Sequence, residues 1–219
     1  ETVISSDGRL VIYMGDDERF QHLYRFVSRD RVDHKNRAAN RDLLDHGTLS
    51  VARFDPKGVT WLPLVFGQGP LTPENGFESQ ADVVIEARRA AKLLGATPMD
   101  RPEDVQPHPT NGKVYVMLTN NNKRQPGQED AVNPRADNVN GHIVELTAPH
   151  GDHGAGRFDW DVLVLCGPLG SNATWNAATS AHGWFASPDN CTIDPHGRLW
   201  VATDQGTKWA GSGSADGIW

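Results

Sequence analysis

Cysteine is scarce in this chain: Cys166 and Cys191 are the only two, with no C-x-x-C spacing between them. That excludes a disulfide-stapled scaffold, and both thiols read first as strand residues of a core, with a disulfide or a metal thiolate as the alternatives. Long apolar runs are also missing, and no stretch approaches the roughly 20 residues a helix needs to cross a bilayer. Basic residues are outnumbered, 21 Lys and Arg against 28 Asp and Glu, for a net charge of −7. Nucleic acid is excluded as a partner on that ground, because a phosphate backbone demands a basic face. A small phosphorylated substrate is not excluded, since one arginine beside bound cations can reverse the local field. Acidic, oxygen-rich sequences also suit hard cations such as calcium. There is no initiating methionine and no signal peptide; Glu1 leads straight into a strand-like run, and 216–219 read as the start of another. The expectation is a single partial domain, 1–219, cut at both ends, whose termini carry no address.

What the chain does have is 22 glycines, 14 prolines and a recurring local pattern. Asp7-Gly8-Arg9 precedes Leu10-Val11-Ile12-Tyr13-Met14, and Asp55-Pro56-Lys57-Gly58 precedes Val59-Thr60-Trp61-Leu62. Asn111-Gly112-Lys113 precedes Val114-Tyr115-Val116-Met117-Leu118, and Asp194-Pro195-His196-Gly197-Arg198 precedes Leu199-Trp200-Val201-Ala202. Each is a turn with glycine where positive φ is wanted, then a β-branched and aromatic run ending in polar residues. The glycines stand 50, 54 and 85 residues apart, too far for simple hairpins and suited to four-stranded propeller blades with insertions. Companion strands fit the gaps at 49–54, 142–146 and 161–165. The pattern predicts an all-β fold, consecutive blades of a propeller, with one such unit per blade.

One segment breaks the β pattern. Over 82–94 apolar residues fall at Val83, Val84, Ala87, Ala90, Ala91 and Leu94, which predicts an inserted helix with Val84, Ala87, Ala91 and Leu94 inward. Ser79 stands as its N-cap, Gly95 as its stop, and Glu86 can pair with Arg89. Two polar stretches, 120–140 and 149–158, read as solvated loops, the first carrying Lys123, Arg124 and Arg135.

Chemistry concentrates at two places. In Met99-Asp100-Arg101-Pro102-Glu103, proline favours an extended Arg101, so Arg101 and Glu103 would point the same way along a strand. A guanidinium beside a metal-bound carboxylate could grip phosphate through two parallel hydrogen bonds, although a surface ion pair explains the same residues. In Ser187-Pro188-Asp189-Asn190, a carboxylate and an amide offer two hard oxygens to calcium; an Asx turn is the bland alternative.

The runs at 10–28 (LVIYMGDDERFQHLYRFVS), 95–103 (GATPMDRPE), 111–121 (NGKVYVMLTNN), 141–146 (GHIVEL) and 187–204 (SPDNCTIDPHGRLWVATD) resemble the PhoX family of secreted bacterial alkaline phosphatases, in order and across nearly the whole chain. That resemblance implies a six-bladed propeller with iron and calcium on its axis, hydrolysing small phosphomonoesters, exported to the periplasm or beyond. It implies Glu103 as the metal-bridging and catalytic glutamate, Asp189 as a calcium ligand, and Arg101 as the catalytic arginine on substrate phosphate. For a further glutamate before the YMGDD run, Glu1 is the candidate, nearer that run than the resemblance places it. The family's iron-binding cysteine lies upstream of this chain, so neither Cys166 nor Cys191 fills that place. Two other functions fit the same strands. A calcium-dependent propeller lactonase would share the acidic ligands without needing Arg101, and a non-catalytic binding module would need none of them.

Overall fold

The computed structural model describes residues 1–208 and 213–219. Its first meander is antiparallel throughout: β1 (Thr2–Ile4), β2 (Arg9–Gly15), β3 (Leu23–Arg31), β4 (Gly47–Asp55) and β5 (Gly58–Pro63). A second meander follows an inserted helical segment, with β6 (Pro102–Pro107), β7 (Lys113–Leu118), β8 (His142–Thr147) and β9 (Arg157–Leu165). A hairpin, β10 (Pro188–Ile193) and β11 (Leu199–Thr203), begins a third unit. The meanders pair edge to edge where Val59 faces Phe158 and Thr60 faces Arg157, with Trp61 N donating to the Gly156 carbonyl beside them, which links nine strands into one order. The architecture is all-β and propeller-like.

The turn pattern places the strands. β2, β7 and β11 are each the second strand of their unit, paired back onto β1, β6 and β10. Gly8, Gly112 and Gly197 all take positive φ, between 76° and 87°. Before each glycine an Asx side chain accepts from the turn's own amides: Asp7 from Arg9, Asn111 from Lys113, Asp194 from His196 and Arg198. The turn at Gly58 is different. It joins β4 to β5 inside the first meander, so the pattern does not recur once per blade. A local hairpin signal carries no information about which strand of a blade it opens.

Side-chain alternation then builds the core between units. Val114, Val116 and Leu118 of β7 pack with Val11 and Tyr13 of β2, whereas Tyr115 and Met117 face the other way, toward Phe185 and Val201. Strand β7 is therefore buried on both faces, which is why it reads as an unbroken apolar run. Arg25 of β3 braces the first interface: its guanidinium lies 4.5 Å from the Trp61 ring centroid and donates to the carbonyls of His153 and Ala155. Of residues 149–158, His153 and Phe158 are packed against the first meander, His153 bonded to the Tyr13 hydroxyl, while Pro149, His150, Gly156 and Arg157 are exposed.

The inserted helix is two short ones, α1 (Gln80–Ile85) and α2 (Ala87–Leu93), broken at Glu86. Ser79 caps α1 by accepting from Asp82 N, and Glu86 pairs with Arg89 at 2.8 Å. The break rotates the stripe. Val83, Ala90 and Ala91 are buried, Ala87 and Leu94 pack partly, and Val84, expected inward, is exposed. Gly95 ends α2 at φ 73°.

One close approach ties fold to site. A Cβ added to Gly15, at the end of β2, would stand 2.3 Å from the carbonyl oxygens of both Pro102 and Glu103. Gly15→Ala should destabilise the protein by roughly 1–3 kcal/mol, the usual range for overpacking a well-filled site. A urea midpoint equal to that of the parent would show that the junction of β2 and β6 is loose.

Candidate functional site

Arg101 and Ser187 each precede a proline and each take φ 55°, an uncommon left-handed conformation outside glycine. Arg101 is therefore not extended. Proline disfavours the right-handed helical region for the residue before it and favours extension, yet the chain takes a left-handed turn at both positions. Immediately after each turn the ladder slips. Pairing jumps from Pro102 to Val105 on β6 and from Pro188 to Asn190 on β10, leaving Glu103 and Asp189 on bulges. Bulges bend a strand and re-aim its side chains, and they concentrate beside sites. Simple alternation does not orient Arg101 and Glu103; a turn and a bulge do. Asn190 rejoins the ladder opposite Ala202 with an exposed side chain.

Asp104 braces the two inner strands by accepting from Cys191 N at 2.8 Å, so Glu103 and Asp189 become electrostatic neighbours although 86 residues separate them in sequence. Burial first, then a hydrogen bond and repulsion from Asp17, and repulsion from Asp189, push the Glu103 carboxyl up to about 8. Burial, with Asp204 and Asp17 nearby, pushes Asp189 up to about 6, against the pull of Arg101. Asp17, which sequence reasoning did not single out, completes the group. Its Oδ1 meets Arg101 Nε and its Oδ2 meets Nη2, both at 2.8 Å. The signal was the Asp16-Asp17 pair closing β2, but only one of the two faces the cluster, since Asp16 is taken by Arg88.

Mutually repelling, half-buried carboxylates suit a hard cation, and one Glu103 oxygen, Oε2, is buried without a hydrogen-bond partner. The fit is partial: among the described residues no group of three or more His, Cys, Asp and Glu side chains is arranged to hold a metal. The thiols do not fit. Cys166 is fully buried and Cys191 partly so, both unpaired, and burial raises both well above the usual thiol range. Glu1 is exposed, with its ammonium on the Tyr13 carbonyl, and its charge acts on Cys191.

Beneath Arg101 sits a buried polar network drawn from the 120–140 stretch. Arg124 Nε donates to Asp100 Oδ1 at 2.8 Å, with the two side chains 3% and 0% exposed. Asn138 donates to the other Asp100 oxygen and to His142 Nδ1, and His142 Nε2 donates to the Val132 carbonyl. Burial holds His142 neutral, down to about 4. Arg135 donates to the Cys166 and Gly141 carbonyls. The stretch divides: 125–131 are exposed, as a solvated loop would be, while its ends form the floor, with Arg124 buried, Arg135 half-buried and Lys123 exposed.

The raised carboxylates have a consequence for pH. A carboxyl raised in the folded state favours folding below its unfolded value near 4, and that contribution is lost as pH rises through the folded value. For Glu103 the window runs from about 4 to about 8. In chelator, Glu103→Gln should match the parent's thermal midpoint at pH 4 and exceed it at pH 8.5. Equal midpoints at both pH values would mean that Glu103 carries no burial or repulsion penalty.

A family profile described as alkaline phosphatase PhoX matches residues 1–217. Among solved structures, the chain is similar to Pseudomonas fluorescens PhoX in complex with vanadate, a transition state analogue, at 40% identity and a TM-score of 0.87. The match covers 99% of this chain and 40% of that one, so this chain spans about two fifths of its length. No curated protein matches significantly.

Proposed function

The chain belongs to the PhoX alkaline phosphatase family, and on that premise we propose that it supplies part of the catalytic centre of a phosphomonoester hydrolase, as consecutive blades of a larger propeller. The observation that carries this reading is a guanidinium set among raised carboxylates, Arg101 beside Glu103 and Asp189. A lactonase or a binding module has no use for that arginine.

In this reading Glu103 and Asp189 would hold cations, calcium and iron, together with ligands from outside this chain. The cations, when bound, neutralise phosphate charge and make an attacking oxygen available at neutral to alkaline pH. Ionising Glu103 is what the ligand role requires, so cation binding and loss of its proton go together. Arg101 binds the phosphate and meets the charge that develops on its equatorial oxygens. The bulges hold these groups on rigid strand ends instead of mobile loops, which limits the reorganisation left for the reaction. The product side is inorganic phosphate and an alcohol, and export to the periplasm or beyond follows from the family resemblance.

Glu103→Ala in the full-length protein tests the reading. Bound iron or calcium and turnover of an aryl phosphate should fall together, because the carboxylate holds the cations before substrate arrives. Elemental analysis beside a turnover assay decides it, and retention of the parent's full metal content would sink the ligand assignment.

A further inference from the structure

The pairing of Asp17 with Arg101 has a directional consequence. A guanidinium presents five N–H groups along two usable edges, one formed by Nε and Nη2 and the other by Nη1 and Nη2. Asp17 takes the first edge with both oxygens, at 2.8 Å each. Nη1 and the second hydrogen of Nη2 have no partner among the described residues. That free edge is the one able to grip two phosphate oxygens in parallel.

Asp17 is itself held. Asp16 beside it is locked by two bonds to Arg88. Farther along the same loop, Phe20 N donates to the Met99 carbonyl, and Arg19 bridges to Asp100 and donates to Asn122. The loop that ends β2 is thereby fastened to the segment that carries Arg101, which comes from the neighbouring meander. A left-handed turn at Arg101 fixes where the side chain starts, and Asp17 fixes where it ends.

We propose that Asp17 is a positioning residue for phosphate recognition, docking the Nε/Nη2 edge of Arg101 so that the Nη1/Nη2 edge faces the substrate phosphate. This rests on the assignment of Arg101 as the phosphate clamp. A long arginine side chain left free loses rotamer freedom each time it binds, and a standing partner removes that cost in advance.

The test uses the full-length protein with Asp17→Ala, Asp17→Asn, Arg101→Ala and the double variant Asp17→Ala/Arg101→Ala. Readouts are inhibition by inorganic phosphate, KM and kcat for an aryl phosphate, and bound metal. Asp17→Ala should weaken inorganic phosphate about tenfold, the loss expected from ordering one long side chain on binding, with metal content unchanged. Asp17→Asn keeps one acceptor oxygen and should lie between. On the Arg101→Ala background, Asp17→Ala should add nothing. Tighter phosphate in Asp17→Ala would make Asp17 a competitor for the clamp, and loss of metal would make it a ligand; either overturns the proposal. An undiminished effect on the Arg101→Ala background overturns it while leaving the clamp intact. Phosphate inhibition unchanged in Arg101→Ala removes the clamp itself, and the proposal with it.

Discussion

Arg101→Ala in the full-length protein is expected to slow aryl phosphate hydrolysis by about 10²–10³, the usual effect of removing one preorganised group from a developing charge, while bound metal stays as in the parent. The structure gives the reason for the split. Arg101 reaches Asp17 directly, and Glu103 and Asp189 only through the field, so its removal takes no ligand away from a cation. It does remove the one positive charge acting on both Glu103 and Asp189. In metal-free protein both carboxyls should therefore hold their protons to still higher pH. Arg101→Lys should recover little, because an ammonium cannot dock on Asp17 and grip phosphate with two parallel edges. Turnover beside elemental analysis checks all of this; full activity in Arg101→Ala would end the clamp assignment and leave the fold untouched.

The largest effect on stability is expected at Arg124. Replacing it with alanine strands Asp100, whose side chain is fully buried, with Asn138 as its remaining hydrogen-bond donor. Removing one partner of a buried ion pair costs about 3–5 kcal/mol, mostly as the penalty of the charge left behind. The same substitution removes the side-chain donor to the Gln128 carbonyl, leaves the Pro98 carbonyl with Asn133 alone, and opens a gap beside the Phe20 ring. Urea unfolding of the single variant should show the loss, and the double variant Asp100→Leu/Arg124→Leu should recover part of it by removing both charges. A single-variant loss below about 1 kcal/mol would mean that water reaches Asp100. Because Asp100 is bonded to Arg101 along the chain, a milder variant that folds, Arg124→Lys, should also lower turnover by disturbing the turn above it.

Much of this was legible in the residues because it is local. An Asp or Asn ahead of a glycine makes the same turn whatever surrounds it, since the side chain and the amides it bonds lie within four residues. The Ser79 cap, the Glu86–Arg89 pair and the Gly95 stop are of the same kind. The helix stripe was legible in kind but not in phase, because the break at Glu86 turned Val84 outward. Within 120–140 the exposed run 125–131 is the solvated loop its composition suggests, but Arg124 is not, because composition cannot tell a solvated arginine from one buried on a carboxylate 24 residues away.

The sequence by itself determined the strands, their turns, the all-β class and the residues around which a phosphate chemistry could be argued. Tertiary structure alone decided how those residues face one another. Proline favours extension at Arg101, yet the folded chain takes a left-handed turn and a bulge there, beside the close approach of β2 at Gly15, where alternation pointed elsewhere. The partner of Arg101 stands 84 residues away on another meander. A pairing of that kind is set by which strand ends meet across an interface, and no local preference of either residue encodes it.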